Sequence, residues 1–347
     1  MEGILHRLEP CDHRLSIHGL AVQVLCEVPH LNWPIHHALG EFATSAWPDG
    51  FAPVPGHIRA YDESAVMRHL SPQAAAIASD NLMEIYEHGE RFWVVDDRWG
   101  IAEINLLKLT WQSWVLPRSA MTGWQMTEAA VLWPLAQLLR SKGLTLLPAA
   151  AVAREGFGVL ILSPFGIEPE LTALASAGWG IVGQRWTALR EDDGRVSMLR
   201  MPGQIERVSG PRYRGPDGQF ATTPSSTWID LTLERPGCSQ HHAYCDAVVV
   251  VDAARRGSAK SKPITGAGTA GVLKKAWPIF DLHVPSRQAH LPTRLASGSQ
   301  VIAAQLSRTP RDFVEILGRL SSTRLPAPAR LQPQIHAARP APRPIPA

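Results

Sequence analysis

Residues 147–185 read LPAAAVAREGFGVLILSPFGIEPELTALASAGWGIVGQR, and the punctuation of this stretch decides the fold class. Pro148–Ala153 and Gly158–Ser163 are short apolar runs joined by Arg154-Glu155-Gly156-Phe157, a spacing that predicts two paired strands. Pro169 to Ala177 predicts a helix. Proline suits the first turn, Leu171, Leu174 and Ala175 share a face, and Gly178 stands where a left-handed cap is needed. Trp179–Gln184 predicts the next strand, and Glu191-Asp192-Asp193-Gly194 turns into another, Arg195–Arg200. Strand, tight loop, helix, strand is the order of an α/β (α+β) nucleotide-binding unit.

Downstream, Ala247–Ala253 (AVVVVDA) predicts a buried strand, and Thr309-Pro310-Arg311-Asp312 a helix start with a side-chain oxygen at the N-cap. Phe313, Ile316, Leu317 and Leu320 then follow at helical spacing and make one buried face. Upstream, Trp133-Pro134-Leu135 opens a helix with Leu135, Leu138 and Leu139 inward and Gly143 at its end. Residues up to about Gly123 are rich in His, Trp and Pro and weakly periodic. Leu20–Val28, Phe92–Val95 and Ile101–Leu106 read as strands, Asp96–Gly100 as a turn, and His36-His37 as the start of a helix. The expected division is a divergent N-terminal domain at 1–123, a core at 124–320 and a tail at 321–347. The tail is Pro, Ala and Arg without an acidic residue, a composition that predicts disorder or polyproline conformation.

Composition narrows the function classes. The 347 residues are 45% hydrophobic and 19% charged with a net charge of +3, too small a bias to argue for nucleic acid or an anionic membrane. The four cysteines (Cys11, Cys26, Cys238 and Cys245) have no framework spacing, which suits reduced thiols. No apolar run reaches membrane-spanning length, and the first residues, MEGILHRLEP, lack an export signal, so a cytoplasmic protein is expected.

The ordered series resembles the HPr serine kinase family, whose members read Leu-His-Ala-Ala-Ala-Val, a Gly turn, an apolar strand, Gly-Pro-Ser-Gly-Ala-Gly-Lys-Ser-Thr-Leu, a helix ending Ala-Gly-Trp, and a strand ending Asp-Asp. The matching residues are Leu147–Val152, Gly156–Leu162, Ser163-Pro164-Phe165-Gly166, Leu174–Trp179 and Ile181–Arg185. The match is firm over about 143–202 and softer through Ala247–Ala253 to the helix after Thr309. The resemblance implies an HPr-kinase/PEP-carboxykinase-like phosphate-loop core, and in active relatives transfer of a phosphoryl group from ATP to a hydroxyl.

A phosphate loop needs converging backbone N–H groups, a helix N-terminus, a lysine and a Ser/Thr hydroxyl for Mg²⁺. The loop here, Ser163-Pro164-Phe165-Gly166-Ile167-Glu168-Pro169-Glu170, is shorter than the family's and lacks the lysine and the hydroxyl. It also loses a donor at Pro169 and sets Glu168 and Glu170 where phosphate oxygens would lie. The family's histidine matches Pro148, and its acidic pair, which implies metal binding and base catalysis, matches Gln184 and Arg185. The scaffold residues persist while the chemistry is gone.

The expected function is therefore a pseudokinase. It binds a protein or peptide partner, of the kind found beside peptide-modifying or glycan-assembly enzymes, with no catalytic residue, no cofactor and no metal. An alternative is a divergent kinase using ATP and Mg²⁺. A third is a metal- or small-molecule-binding protein, since Cys238, His241, His242 and Cys245 spell C-x₂-H-H-x₂-C, although a polar loop before a strand accounts for them. Gly266–Gly271 matches a dinucleotide pattern by letters but lies too far beyond its strand and reads as a flexible helix start. Arg212, Arg214 and Asp217-Gly218 lie in a Gly/Pro-rich loop near where relatives bind their acceptor, and a solvated loop accounts for them too.

Overall fold

The computed structural model describes residues 10–47, 52–79, 83–117, 121, 123–164, 166–201, 203–209, 225–253, 259–265, 268–276 and 291–323. The expected tail beyond 323, and the loop with Arg212, Arg214 and Asp217, lie outside these residues.

The N-terminal part contains β1 (Cys11–Ile17), β2 (Leu20–Cys26), α1 (Pro29–Leu39), β3 (Val54–Ala60), α2 (Glu63–His69), β4 (Ala75–Ser79), β5 (Met83–His88), β6 (Arg91–Asp96), β7 (Gly100–Asn105) and β8 (Thr110–Val115). Its strands make an eight-stranded sheet in the order β1-β2-β3-β8-β7-β6-β5-β4. The β2–β3 and β3–β8 pairs are parallel, and α1 supplies the crossover between β2 and β3. A region that reads as weakly periodic is thus mostly sheet. His36 and His37 lie in the last turn of α1 rather than at its start, and Pro34 sits inside the helix.

A helix begins at α3 (Gly123–Thr127), passes through a π turn at Glu128–Leu132 and continues as α4 (Trp133–Ser141). It does not open at Trp133-Pro134, as its proline suggested. Pro134 has no N–H for the carbonyl of Ala130, and that carbonyl instead accepts from Ser113 Oγ (2.8 Å) and Trp111 Nε1 (3.2 Å) of β8. The helix keeps its course, and the defect fastens it to the N-terminal sheet. Leu144 N then bonds Leu139 O (3.1 Å) beyond Gly143, which has φ +83°, a left-handed stop.

The C-terminal part contains β9 (Thr145–Leu147), β10 (Ala150–Arg154), β11 (Phe157–Leu162), α5 (Glu168–Ser176), β12 (Gly180–Gly183), β13 (Thr187–Asp192), β14 (Arg195–Arg200), β15 (Ile205–Ser209), β16 (Ser225–Ile229), α6 (Leu231–Glu234), β17 (His242–Ala253), β18 (Lys260–Pro263), α7 (Gly268–Ala276), α8 (Leu291–Gly298), β19 (Gln300–Gln305) and α9 (Pro310–Ser322). The strand β17 organises it. It pairs in parallel with β11 on one side and β19 on the other, and its first residues pair antiparallel with β14.

The valine run in β17 is continuous because both faces of its sheet are covered. Val249 and Val251 join Val159 and Ile161 of β11 under α5 and α9, where Leu171, Leu174, Phe313, Ile316 and Leu317 complete the layer. Val248 and Val250 face the other way, with Leu160 and Leu162, toward Leu273 of α7 and Leu291 and Leu295 of α8. The molecule is an α+β protein in which one sheet lies between two helical layers. The expected helix after Thr309 and its buried face are present. Its cap differs: the Thr309 side chain makes no capping bond, the backbone carbonyl of Thr309 accepts from Asp312 N (3.0 Å), and Ser307 Oγ holds the Thr309 amide (3.0 Å).

Candidate functional site

The stretch singled out by sequence forms the expected strand, loop, helix and strand. Glu155 and Gly156 take φ +52° and +76°, the left-handed pair of a tight hairpin, and join β10 to β11. Gly158 is required by packing, since a Cβ there would lie 2.1 Å from the carbonyl oxygen of Tyr244. The chain leaves β11 through residues 163–167 and turns into α5. That helix ends with Trp179 N bonded to Leu174 O (3.0 Å) around Gly178, at φ +82°.

At the head of α5 the helix carries two acidic side chains. Glu168 and Glu170 are both in the first turn; Glu170 is 1% exposed, and Glu168 Oε1 accepts from Thr172 Oγ1 (3.2 Å). Carboxylates in a first turn complement the positive end of the helix dipole, the role a phosphate plays in a nucleotide site. Pro164 and Gly166 are exposed, Ser163 is half-buried and Ile167 is buried in the core beneath α5; Phe165 lies outside the described residues. The sequence has no lysine between Lys142 and Lys260, so this segment offers no ammonium to a triphosphate. Pro148, between β9 and β10, is half-buried and has no titratable group.

The positions matched to the family's acidic pair are structural cross-links. Gln184 is 3% exposed. Its Nε2 donates to Asp230 Oδ1 (2.5 Å) and to Gly203 O (3.0 Å), while its Oε1 accepts from Leu231 N (2.8 Å). Asp230 in turn caps α6, accepting from Thr232 N (2.8 Å) and Thr232 Oγ1 (2.6 Å). Arg200 Nη2 donates to the same threonine hydroxyl (2.9 Å), and its Nε to Glu41 of the N-terminal part (2.9 Å). Arg185 points elsewhere: its Nε donates to both oxygens of Glu128 (2.8 and 2.9 Å), and the buried Trp186 Nε1 adds a third bond (2.8 Å). Glu128 lies on the π turn, the one stretch of that helix where the backbone register shifts.

Sequence reading singled out Gln184 and Arg185 through their place in the series but not their hydrogen-bond partners Glu128 and Asp230, nor Glu41. These anchors lie far along the chain from their partners, and none carries a local motif.

The C-x₂-H-H-x₂-C residues are not brought together as ligands. Among the described residues no group of three or more His, Cys, Asp or Glu side chains could hold a metal ion. Cys245 lies inside β17, its thiol pushed up to about 12 by burial and bonded to Ala247 O (3.3 Å). Burial raises the Cys238 thiol as well. A thiol held above its ordinary range resists becoming the thiolate that a metal requires. His242 shares a bond with Ser197 Oγ (3.2 Å) and stacks edge-on against Tyr244, while His241 is exposed. Gly268 begins α7, and Gly266 and Ala267 lie outside the described residues.

No family model and no curated protein matches the chain. Among solved structures, the HPr(Ser) kinase/phosphatase from Coxiella burnetii is similar over 52% of this chain and 97% of its own, at 13% identity and a TM-score of 0.29. Among the described residues no helix is long and apolar enough to cross a membrane.

Proposed function

We propose that residues 124–320 are an HPr-kinase-related domain that has lost phosphotransfer and acts by binding a protein or peptide partner. The observation that carries this reading is the condition of the matched positions. Helix α5 has two carboxylates in the turn where a phosphate would dock, the Gln184 amide is committed to Asp230, Gly203 and Leu231, and Arg185 has its Nε on Glu128. A group that must bind a cation or remove a proton needs lone pairs directed at the substrate. An amide with both ends bonded to the fold, and a guanidinium bonded to a carboxylate, supply none.

Packing also supports it. Leu171 and Leu174 of α5 are fully buried against the layer of α9. Each such leucine is worth about 1.5–3 kcal/mol relative to exposure, so the helix stands without a nucleotide to order it. With the chemistry absent, recognition is the function left to the scaffold.

Titration calorimetry of the full chain with millimolar Mg·ATP tests the reading. No saturable heat is expected. Saturable, Mg²⁺-dependent binding would replace it with the divergent-kinase alternative, in which ATP and Mg²⁺ are cofactors after all.

A further inference from the structure

A second feature lies in the N-terminal part, away from the degenerate loop, and involves two free thiols. Strands β1 and β2 form a hairpin around His18 and Gly19, at φ +49° and +86°, and its register sets Cys11 directly opposite Cys26. Residues opposite one another across an antiparallel pair share a face of the sheet. On this face His13, Leu15 and Ile17 of β1 and Val22, Val24 and Cys26 of β2 are buried. Counted in twos from Ile17 and Leu20, the pair that closes the turn, Cys11 and Cys26 fall at a hydrogen-bonded position. Cα atoms of such a pair stand about 5.5 Å apart, inside the range of about 4.4–6.8 Å that a disulfide spans.

The two sulfurs differ in access. Cys26 is fully buried and its thiol donates to Val28 O (3.3 Å), whereas Cys11 is half-buried and lines a cavity of about 310 Å³ between β1 and α1. Burial, with a smaller addition from the neighbouring Cys11, pushes the Cys26 thiol up to about 11. A thiol so reluctant to ionise does not begin an exchange, so the oxidant arrives at Cys11.

We propose that Cys11 and Cys26 form a reversible disulfide site whose oxidant is a low-molecular-weight disulfide. The Cys11 thiolate attacks one sulfur of the oxidant and bonds to it. The oxidant's S–S bond breaks, and the thiolate released takes up the proton that Cys11 gave. Cys26 then gives up its proton, its sulfur bonds to that of Cys11, and the other half of the oxidant leaves as a second thiol. Two protein thiols have lost two electrons, and one disulfide has been reduced to two thiols. Holding Cys26 opposite Cys11 makes the second step intramolecular, which offsets its poor ionisation. Cβ atoms at such a pair lie about 4.5–5.5 Å apart and those of a disulfide about 3.5–4.5 Å, so closure must draw the strands together. A bond closed in that way is readily reduced, which makes the site reversible. Cys11 begins β1 and Cys26 ends β2, so the pair sits at the open end of the hairpin, where the backbone can follow. The closed form also lacks the S–H bond to Val28, the residue before α1, so oxidation reaches the start of that helix.

The test treats the folded full chain with glutathione disulfide at mildly alkaline pH, then denatures it, alkylates it with iodoacetamide and digests it with trypsin. Trypsin cuts after Arg14, so the two cysteines fall in separate peptides that only a disulfide joins. The expected product is that joined pair, with two of the four cysteines protected from alkylation and all four restored by dithiothreitol. Cys26→Ala should stop after the first step and carry one glutathionyl group on Cys11. Cys11→Ala should take up none on Cys26. A parent chain that stays fully reduced, one that links through Cys238 or Cys245 instead, or one that keeps glutathione on Cys11 with Cys26 free would overturn the proposal.

Discussion

Replacing Gln184 by glutamate changes one atom of a buried side chain and reverses the sense of two hydrogen bonds. Gln184 Nε2 donates to Asp230 Oδ1 at 2.5 Å and to Gly203 O at 3.0 Å, and both partners can only accept. A carboxylate there retains the bond from Leu231 N and meets two acceptors with its other oxygen. Two charges about 3 Å apart at an effective dielectric near 20 repel by roughly 5 kcal/mol. The pair escapes by taking up a proton, and holding it at about pH 7.5 against a free carboxyl pKa of about 4.3 costs about 4 kcal/mol. One bond also stays lost, for about 1 kcal/mol more. Gln184→Glu should therefore lose about 4–5 kcal/mol at about pH 7.5.

The sign of the pH dependence follows from linkage. The introduced carboxyl has a raised folded-state pKa, so its deficit is complete above that value and shrinks as pH falls toward about 4.3. At about pH 5 only about 2 kcal/mol should remain. Urea denaturation followed by tryptophan fluorescence measures both conditions. Adding Asp230→Asn restores a donor opposite the carboxylate and keeps a residue that caps α6, so the double variant should recover more than half of the loss. A loss below about 1 kcal/mol at the higher pH, or a deficit that does not change with pH, would refute the reasoning.

Glu128→Ala should cost about 2–3 kcal/mol in the same assay. Most of this comes from leaving the buried Trp186 Nε1 without an acceptor, while Arg185, 41% exposed, recovers part of its bonding from water. Gly158→Ala places a Cβ 2.1 Å from Tyr244 O and should destabilise by about 3 kcal/mol, seen as a fall in the melting temperature. Burial is the leading cause that holds His13, His18 and His57 below their ordinary pKa. Their unfolded forms therefore take up protons first, and stability should fall as pH drops below about 6.5 until the folded rings protonate too. His18→Gln keeps a donor for Arg200 O (2.7 Å) and should flatten that slope in urea titrations across the range; an unchanged slope would exclude His18 as a contributor.

The centre of the chain was legible because its signals are local. Gly156 and Gly178 are at positive φ where the sequence places a turn and a cap, and the alternating faces of β11 and β17 are written in unbroken apolar runs. The N-terminal sheet was legible only in β2, β6 and β7, where the expected strands stand, and not in the rest, for two physical reasons. Its strands carry residues that speak against strands, such as Pro55 and Gly56 in β3. There the missing Cβ admits the Trp111 ring, which would lie 2.0 Å from it. Prolines also misplaced helix starts: Pro134 reads as an opening because its lost hydrogen bond is a local fact, whereas its repair by Ser113 and Trp111 is a tertiary one. The anchors of the candidate site were hidden for the same reason. Glu128 and Asp230 acquire meaning only when the fold brings Arg185 and Gln184 to them.

This reciprocity bears on how such a site changes. With acids at 184 and 185, Asp230 and Glu128 would face like charges, an arrangement that a bound cation makes tolerable and that repels without one. An amide opposite Asp230 and a guanidinium opposite Glu128 convert both repulsions into bonds. The neutral amide gains most where burial is greatest, at Gln184, and the arginine stands where its side chain still reaches solvent. On the proposed reading, in which residues 184 and 185 replace an acidic pair, each of the two changes is stabilised by a partner that resists its reversal. Restoring the acids would require changing Asp230 and Glu128 with them, and the cap of α6 and the bond to Trp186 depend on those two side chains. On the proposed reading, the loss of phosphotransfer is held in place by folding stability as well as by the missing lysine.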